Sequence, residues 1–528
     1  MLRTTFYQLS MAEVDPDVLR LPADSFERHL RDLLPRLVST DDFHGFYADS
    51  GTGSCCPLVL TGMLLLQFRY NLPDLEVIRR CRCDLAWRYA LGLVGGDAPP
   101  GVTSLRRFRA KVRARLGDDF LHRKVLDLVA GTEHLPDVSR QVVDSTNTDC
   151  RGAVIDTFNL VATGIGNVVR TVARCLGRDP ASLAADWKLG AYMARSVKGG
   201  ARIDWSDEQA RNALLTQEIE DAKRLPALVA SLGVRLPDAV DEALVLLSTV
   251  AMQDVEELPD GTYKIAGGTA RGRVISVTDP EARHGRKSAS KTITGFKTHV
   301  LGTIESQFVT GIAITDAGTH DAVPTVKLIE QADGAGLKPK EALGDAAYGT
   351  GANLRGCKEA GVDMRTKLPT PSCKTAIPKR DFKIDVDAGT VTCPEGHVAP
   401  HVGMVKAPDG GDEPVARHRF DKATCQSCPL KAKCSTGTAR GEARTIVLST
   451  YEREHQEAIA FNREAGAAEV LRSRSAVERL ISHLVRMGMR HARFFGMHMV
   501  QYQAFMTSAA YNLQRLITIS ARAAAGPS

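Results

Sequence analysis

No stretch of this chain is apolar for long enough to span a bilayer. Its longest apolar run, Pro57 to Phe68, is short and is followed by Arg69. The first twenty residues carry Asp and Glu and lack the basic-then-apolar pattern of a secretory signal. A large surplus of one charge is also missing. Lys and Arg number 68 against 62 Asp and Glu, leaving +6 and a pI near 8.7. That balance is compatible with a polyanionic partner and is shared by many soluble enzymes. These absences point to a soluble, cytoplasmic protein without membrane contact. In such a compartment a disulfide framework is unexpected, so the four cysteines crowded between Cys393 and Cys434 need another reason.

What is present suffices for several cores. The 528 residues are 43% hydrophobic and 25% charged, which suggests three or four domains. Residues 20 to 135 read as helical. LVLTGMLLLQFRYNLPDLEVIRRC has helical apolar spacing broken by Pro73, a second helix covers about Asp84 to Leu93, and GGDAPPG (95 to 101) is a loop. Thr103 or Ser104 can then cap LRRFRAKVRARLG, in which six of the ten residues from Arg106 to Arg115 are Lys or Arg. Leu105, Phe108, Val112 and Leu116 form an apolar stripe on it. A basic helix after a turn suits a DNA groove, with Arg106, Arg107 and Arg109 as contacts, and suits a bundle helix with a solvated basic face equally well.

RQVVDST (140 to 146) reads as a short buried strand ending in Asp144. A helical stretch follows to about Val255, with a capping box at Ser206 and Gln209, and LPDGTYKIAG (258 to 267) reads as a hairpin. GFKTHVLGTI and QFVTGIAIT read as adjacent strands, Asp321 to Gln331 as a helix, and EALGD as a strand ending in Asp345. Another helix covers Gly351 to Ala360, and GVDMRTKL holds a further short strand. Alternating strands and helices predict a mixed α/β sheet. One long helix is expected from near Glu452 to Arg490, a last one from Met497 to Ser520, and a frayed tail after it.

Two strands thus end in acids in similar settings, an apolar run, Asp, then small residues. Ligand groups gather at the carboxyl ends of neighbouring strands. With a third acid from a packed helix, such a pair can hold two Mg²⁺ or Mn²⁺ ions, which prefer oxygen ligands and can activate water at a phosphodiester. Glu478 in RSRSAVERLISHLVRMGMRHARFFG is the best third acid. Arg474, Arg486 and Arg490 share its segment and can reach phosphates. Lys297 and His299 lie on a strand beside the site and read either as DNA contacts or as ordinary strand-face positions. Asp149, Asp316 and Asp321 read as turn and cap residues.

At this point the residues resemble the DDE transposases of bacterial insertion sequences. VVDSTN resembles the block with the first catalytic Asp (Asp144), and LGDAAYGT the block with the second (Asp345), with Tyr348 just after it. RSRSAVERL resembles the terminal signature, in which Arg474 precedes Glu478 by four positions. GFKTHV with GIAITDAGTHDA, and NLPDLEVIRRC, LAWRYALGL and TSLRRFRAKV, extend the likeness over most of the chain. Where the family often has Tyr and Lys around that signature, this chain has Leu471 and Val485, with Arg486 next in line. The resemblance implies an RNase-H-like mixed sheet flanked by helices, with Asp144, Asp345 and Glu478 as metal ligands. It implies cleavage and strand transfer of element ends, with terminal inverted repeats and target DNA as partners and a homodimer on DNA. The rival readings are an RNase-H-like nuclease that cuts without joining, and a catalytically inactive DNA-binding derivative.

The expected domains are 1 to 135, helical and DNA-binding, and a catalytic core of 136 to 150, 256 to 385 and 440 to 528. A helical insertion fills 151 to 255, and a Cys-rich insertion 386 to 439. Both insertions enter at loops, where added length costs little closure entropy. In the second, Cys393, Cys425, Cys428 and Cys434, with His397 as an alternate, have the spacing of a structural zinc site. The segment has little apolar content, so a metal is expected to hold it in place of a core.

Overall fold

The computed structural model describes residues 20–22, 24–46, 55–93, 97–132, 137–288, 291–368, 377–409, 413–434 and 443–525. The reading of the extreme amino terminus, the boundary near residue 135 and the last three residues of the tail lie outside them.

The chain is organised on six strands, β1 (Arg140–Asp149), β2 (Arg283–Ser288), β3 (Lys291–Thr303), β4 (Val309–Asp316), β5 (Glu341–Gly344) and β6 (Asp363–Thr366). β1 is central. It pairs antiparallel with β3 and parallel with β5; β3 also pairs antiparallel with β4 and β2, and β5 pairs parallel with β6. The main order is therefore β2-β3-β1-β5-β6, with β4 paired on β3, the mixed sheet that the sequence implied. Both faces are covered. Val142 and Val300 enter one core cluster, while their neighbours Val143 and Leu301 enter another on the opposite face. Burial on both sides is why these strands read as continuous apolar runs. β1 is longer than its sequence signal. It continues past the carboxylate to Asp149, so Asp144 stands mid-strand and not at a strand end.

Six helices precede the sheet: α1 (Phe26–Leu37), α2 (Pro57–Arg69), α3 (Asp74–Cys83), α4 (Leu85–Ala90), α5 (Val102–Leu116) and α6 (Phe120–Ala130). α5 begins directly after Gly101, a residue or two ahead of the expected cap. These helices share one continuous core with a face of the sheet. The last helix of the chain (Met497–Ala525) joins the two, packing on α2, α6 and β4. It also covers an exposed sheet edge. Asn512 accepts from Val309 N at 2.8 Å and donates to Val309 O at 2.7 Å, and Gln501 accepts from Ile314 N at 2.7 Å. The buried Asn512 and half-buried Gln501 amides thus satisfy backbone groups of β4 that no further strand pairs among the described residues.

Between β1 and β2 lies a helical segment with its own core. It contains α7 (Thr157–Leu176), α8 (Glu208–Ala230) and α9 (Asp238–Met252). The cap of α8 is Asp207, which accepts from Gln209 N at 2.9 Å, in place of the expected Ser206 box. Tyr263 of the following hairpin, with Val274 and Val277, packs into the same core, so the packed unit extends beyond residue 255.

The Cys-rich stretch does build a core. Phe382, Ile384, Val391, Phe420, Ile446 and Leu448 pack together beneath two three-stranded sheets. Several of them come from just outside 386 to 439, which is why the segment alone looked core-less.

The expected single helix over 452 to 490 is broken. It becomes α10 (Glu452–Arg463), a short helix Ala467–Arg472, a 3-10 turn, α11 (Ala476–Leu484) and a π turn at Val485–Met489. Gly488 carries φ 101° there, and a Cβ on it would lie 2.4 Å from Asn71. Among the described residues no helix is long and apolar enough to cross a membrane.

Candidate active site

Asp144 is paired with Val300 across β3. On the other side of β1, Val142 stands opposite Leu343 of β5 in a parallel register. The pairing ends there; Asp345 directly follows β5, and its charge reaches the Asp144 carboxyl. Asp345 caps the turn Ala346–Tyr348, its Oδ1 accepting from Ala347 N at 2.8 Å. Asp144 accepts from Ser145 N at 2.7 Å through Oδ1, and from Arg474 Nη1 at 3.1 Å through Oδ2.

Burial pushes the Asp144 carboxyl up, and the negative charges of Asp345 and Asp321 push the same way, against the Ser145 N–H and Arg474. Arg474 on Asp144 and Lys297 on Asp321 therefore compensate this cluster incompletely. Half-buried carboxylates that repel each other form a donor set that suits a hard divalent cation. Tyr348 borders the same charges. Its ring is fully buried and its hydroxyl has no hydrogen-bond partner among the described residues. Burial first, then Asp144, Asp321 and Asp345, hold that hydroxyl well above its ordinary pKa, so it stays protonated.

Glu478 lies in the first turn of α11 and is exposed. Its helix packs on β1 and β3, one turn beyond the Arg474 that touches Asp144. Among the described residues no three His, Cys, Asp or Glu stand close enough to hold an ion. The fold thus sets Asp144 and Asp345 within electrostatic reach of each other, and Glu478 does not join them in an ion-holding group.

The expected DNA contacts divide sharply. Arg109 is buried. Its Nη2 donates to Gln67 at 2.8 Å and to Asp74 at 2.7 Å, so it is a packing residue and is not displayed to DNA. Burial raises the Asp74 carboxyl, but bonds from Arg109, Arg106 and Gln67 outweigh it and hold it well below the usual range. Arg106 pairs with Asp74 at 2.9 Å while remaining largely exposed, and Arg107 is exposed. Lys111 and Arg115 donate to the carbonyls of Phe46 and Gly45, and Arg113 pairs with Asp118 at 2.7 Å. Much of α5's charge is therefore tied to its own bundle.

Lys297 also turns inward, donating to Asp321 and to Thr319 O, each at 2.7 Å, with 14% of its side chain exposed. Asp321 is consequently more than a cap: it holds Lys297 and its charge reaches Asp144. Their separation in sequence gave no local signal of this. Neighbouring His299 is buried, bonds Thr315 Oγ1 at 2.9 Å, and is driven down to about 4 chiefly by burial, so it is neutral. Asp316 fits its turn reading, accepting from Gly318 N at 2.7 Å. Arg490 anchors the π turn to β1 through the carbonyl of Asn147 at 3.1 Å and through its side chain. Arg486 is exposed and lies against His483 at 2.9 Å.

On the Cys-rich module, Cys393, Cys425 and Cys434 pack against the small core. Burial raises the Cys434 thiol, and Cys425, Cys428 and Cys393 add to that, but among the described residues these cysteines are not gathered closely enough to hold an ion. His397 is exposed.

Comparison with known families gives two matches. Residues 19–111 match a family described as Transposase domain (DUF772), and residues 392–517 match one described as Transposase DDE domain. The second match contains Arg474 and Glu478 and begins within the Cys-rich module. No curated protein and no solved structure matches the chain.

Proposed function

We infer, from a chain whose two outer segments both match transposase families, that it is a DDE-type insertion-sequence transposase. The finer proposal is that it cuts element-end DNA and joins the freed 3′ hydroxyl to target DNA, with Asp144, Asp345 and Glu478 holding divalent ions. The observation that supports this is the charge of Asp345, just after β5, acting on the Asp144 carboxyl of the neighbouring parallel strand β1, with Arg474 bonded to Asp144.

When bound, Mg²⁺ or Mn²⁺ would activate the attacking oxygen and stabilise the leaving oxygen of the phosphodiester. The protein's own groups set the conditions. The Ser145 and Ala347 N–H groups each fix one carboxylate oxygen. The second oxygen of Asp345 is left for coordination, and that of Asp144 is held by Arg474. Arg474 keeps Asp144 oriented and lowers the repulsion between the acids. Tyr348 fills the floor of the site and excludes water from beneath it. Glu478 completes the set after a local adjustment of the segment leading into α11, because catalytic contacts often tighten only with substrate bound. DNA ends and target DNA are the partners, and a homodimer would hold two ends at once. The four cysteines are assigned to a structural zinc on their spacing in the sequence; among the described residues they do not stand close enough to hold an ion, so binding would have to draw them together.

The test is cleavage of labelled element-end DNA with Mn²⁺ by wild type and Asp345→Asn. Cutting lost in the variant with DNA binding retained supports metal-carboxylate catalysis. Equal cutting by both removes the site assignment. Cut product with no joined product in a strand-transfer assay leaves a nuclease, and binding without any cutting leaves an inactive DNA-binding derivative.

A further inference from the structure

The helical segment between β1 and β2 carries two runs of cations, bounded in sequence by Asp156, Asp179, Asp186 and Asp204. From Thr157 to Arg178 the sequence holds Arg170, Arg174 and Arg178 and no Asp or Glu. From Lys188 to Ile203 it holds Lys188, Arg195, Lys198 and Arg202, again with no acid. The fold sets these two stretches around a pocket of about 250 Å³, whose wall includes Asn159, Thr163, Arg170, Tyr192, Arg195 and Ser196. This pocket lies in the segment with its own core, apart from the carboxylates.

The polar groups of the wall already have partners: Asn159 Nδ2 donates to Asp156 at 2.9 Å and Tyr192 OH donates to Asp221 at 2.7 Å. Ser196 Oγ donates to Asn159 Oδ1 at 2.9 Å and accepts from Gly199 N at 2.9 Å, and Thr163 Oγ1 donates to Asn159 O at 2.6 Å. Arg178 pairs with Asp186 at 2.5 Å. Arg170 differs. It is half-buried, and its guanidinium makes no hydrogen bond or ion pair among the described residues. Burial alone lowers its pKa, with no carboxylate acting against that. The space for it is built in: a Cβ on Gly166 would come within 2.6 Å of Tyr192 O and 3.0 Å of Arg170 Nη2.

A partly desolvated charge with no counter-ion is costly to keep, and the cost is met when an anion completes it. A guanidinium fork beside a roomy polar pocket matches a phosphate group. Two acid-free stretches around it favour a polyanion over an isolated anion.

We propose that this pocket receives a backbone phosphate of DNA, with Arg170 as its inner contact and Arg195 at its rim, so that the helical segment is a DNA-docking face separate from the carboxylate site. The identity of the polyanion rests on the transposase reading. Phosphate contacts of this kind fix position without reading sequence.

The test uses the full chain and a labelled duplex without divalent metal, followed by fluorescence anisotropy across a salt series. Losing one phosphate contact lowers the slope of log affinity against log salt by about 0.9, which at about 0.1 M salt is roughly eightfold weaker binding. Arg170→Ala should show both changes, and Arg170→Lys should keep part of the affinity. Thermal unfolding of DNA-free Arg170→Ala should match or exceed wild type, because an uncompensated charge has been removed. Unchanged affinity and slope in Arg170→Ala overturn the proposal while leaving the transposase reading intact. Stabilisation of wild type but not the variant by inorganic phosphate, with DNA binding unchanged, overturns it in favour of a free-anion site. Wild type that binds no DNA overturns both readings.

Discussion

Replacing Arg109 by Met separates the two readings of the basic helix. The aliphatic stem is kept and the charge is removed from a buried network. In wild type Arg109 donates to Asp74 at 2.7 Å and to Gln67 at 2.8 Å, with side-chain exposures of 10% for Arg109 and 15% for Asp74. Breaking a buried pair by deleting one partner typically costs 3–5 kcal/mol. Arg106 still neutralises Asp74 from its exposed side, so the lower end applies and about 3 kcal/mol is expected. Urea unfolding followed by far-ultraviolet circular dichroism should show that loss. The double variant Asp74→Asn/Arg109→Met should lose less than the two single losses summed, because the groups act as a unit. The pH dependence has a fixed sign. The Asp74 carboxyl lies below its ordinary 3.8 in the folded chain, so the stability it contributes is complete above that value and is lost as pH falls below it. Arg109→Met should flatten the decline. DNA affinity per folded molecule should be unchanged. A variant as stable as wild type with weakened DNA binding would refute the packing role and restore α5 as a groove-reading helix.

Gly488→Ala combines a positive φ with a contact on Asn71, and a loss of about 2 kcal/mol or more is expected in chemical unfolding; an unchanged midpoint would show that the π turn tolerates a side chain. The purified protein should release one zinc per chain in a colorimetric chelator assay, with Cys425→Ser releasing less. Metal-free wild type would remove the zinc assignment and leave the small apolar core as the module's support. Mn²⁺ affinity followed by electron paramagnetic resonance should fall on acidification while ordinary exposed carboxylates are still ionised, because burial and Asp345 raise the Asp144 carboxyl. Affinity that holds steady down to pH near 4 would contradict that environment. Lys297→Met should destabilise the fold by about 1–3 kcal/mol, since Asp321 and Thr319 O lose a buried donor, and a purely DNA-binding phenotype would refute the inward placement.

Local patterns carried the sheet. The apolar runs around Asp144, Phe296 to Ile304 and Ala342 to Gly344 announce strands because each is buried on both faces, and their alternation with helices indicated a mixed sheet without its strand order. The same patterns misplaced boundaries. β1 outlasts its apolar run because pairing with β3 continues through Thr148 and Asp149. The helix expected to reach Arg490 breaks at the positive φ of Gly466 and again at Gly488, where the chain turns back onto β1. The Cys-rich stretch looked core-less because Phe382, Ile446 and Leu448 enter from outside it.

The sequence by itself determined most of the central strands, that two of them carry an acid in a similar setting, and that cations are concentrated on α5 and near the carboxyl end, while the strand Arg283–Ser288 and those of the Cys-rich stretch escaped it. Those are consequences of period and composition, which local chain chemistry decides. Tertiary structure alone decided which charges are available. Arg109 meets Asp74 from 35 positions away, Lys297 meets Asp321 across 24, and Arg474 meets Asp144 across 330. Charge type is written residue by residue, but the partner that neutralises a charge is chosen by how the helices and sheet pack. A basic run therefore says that an anion is needed, and only the fold says whether the chain has already supplied it.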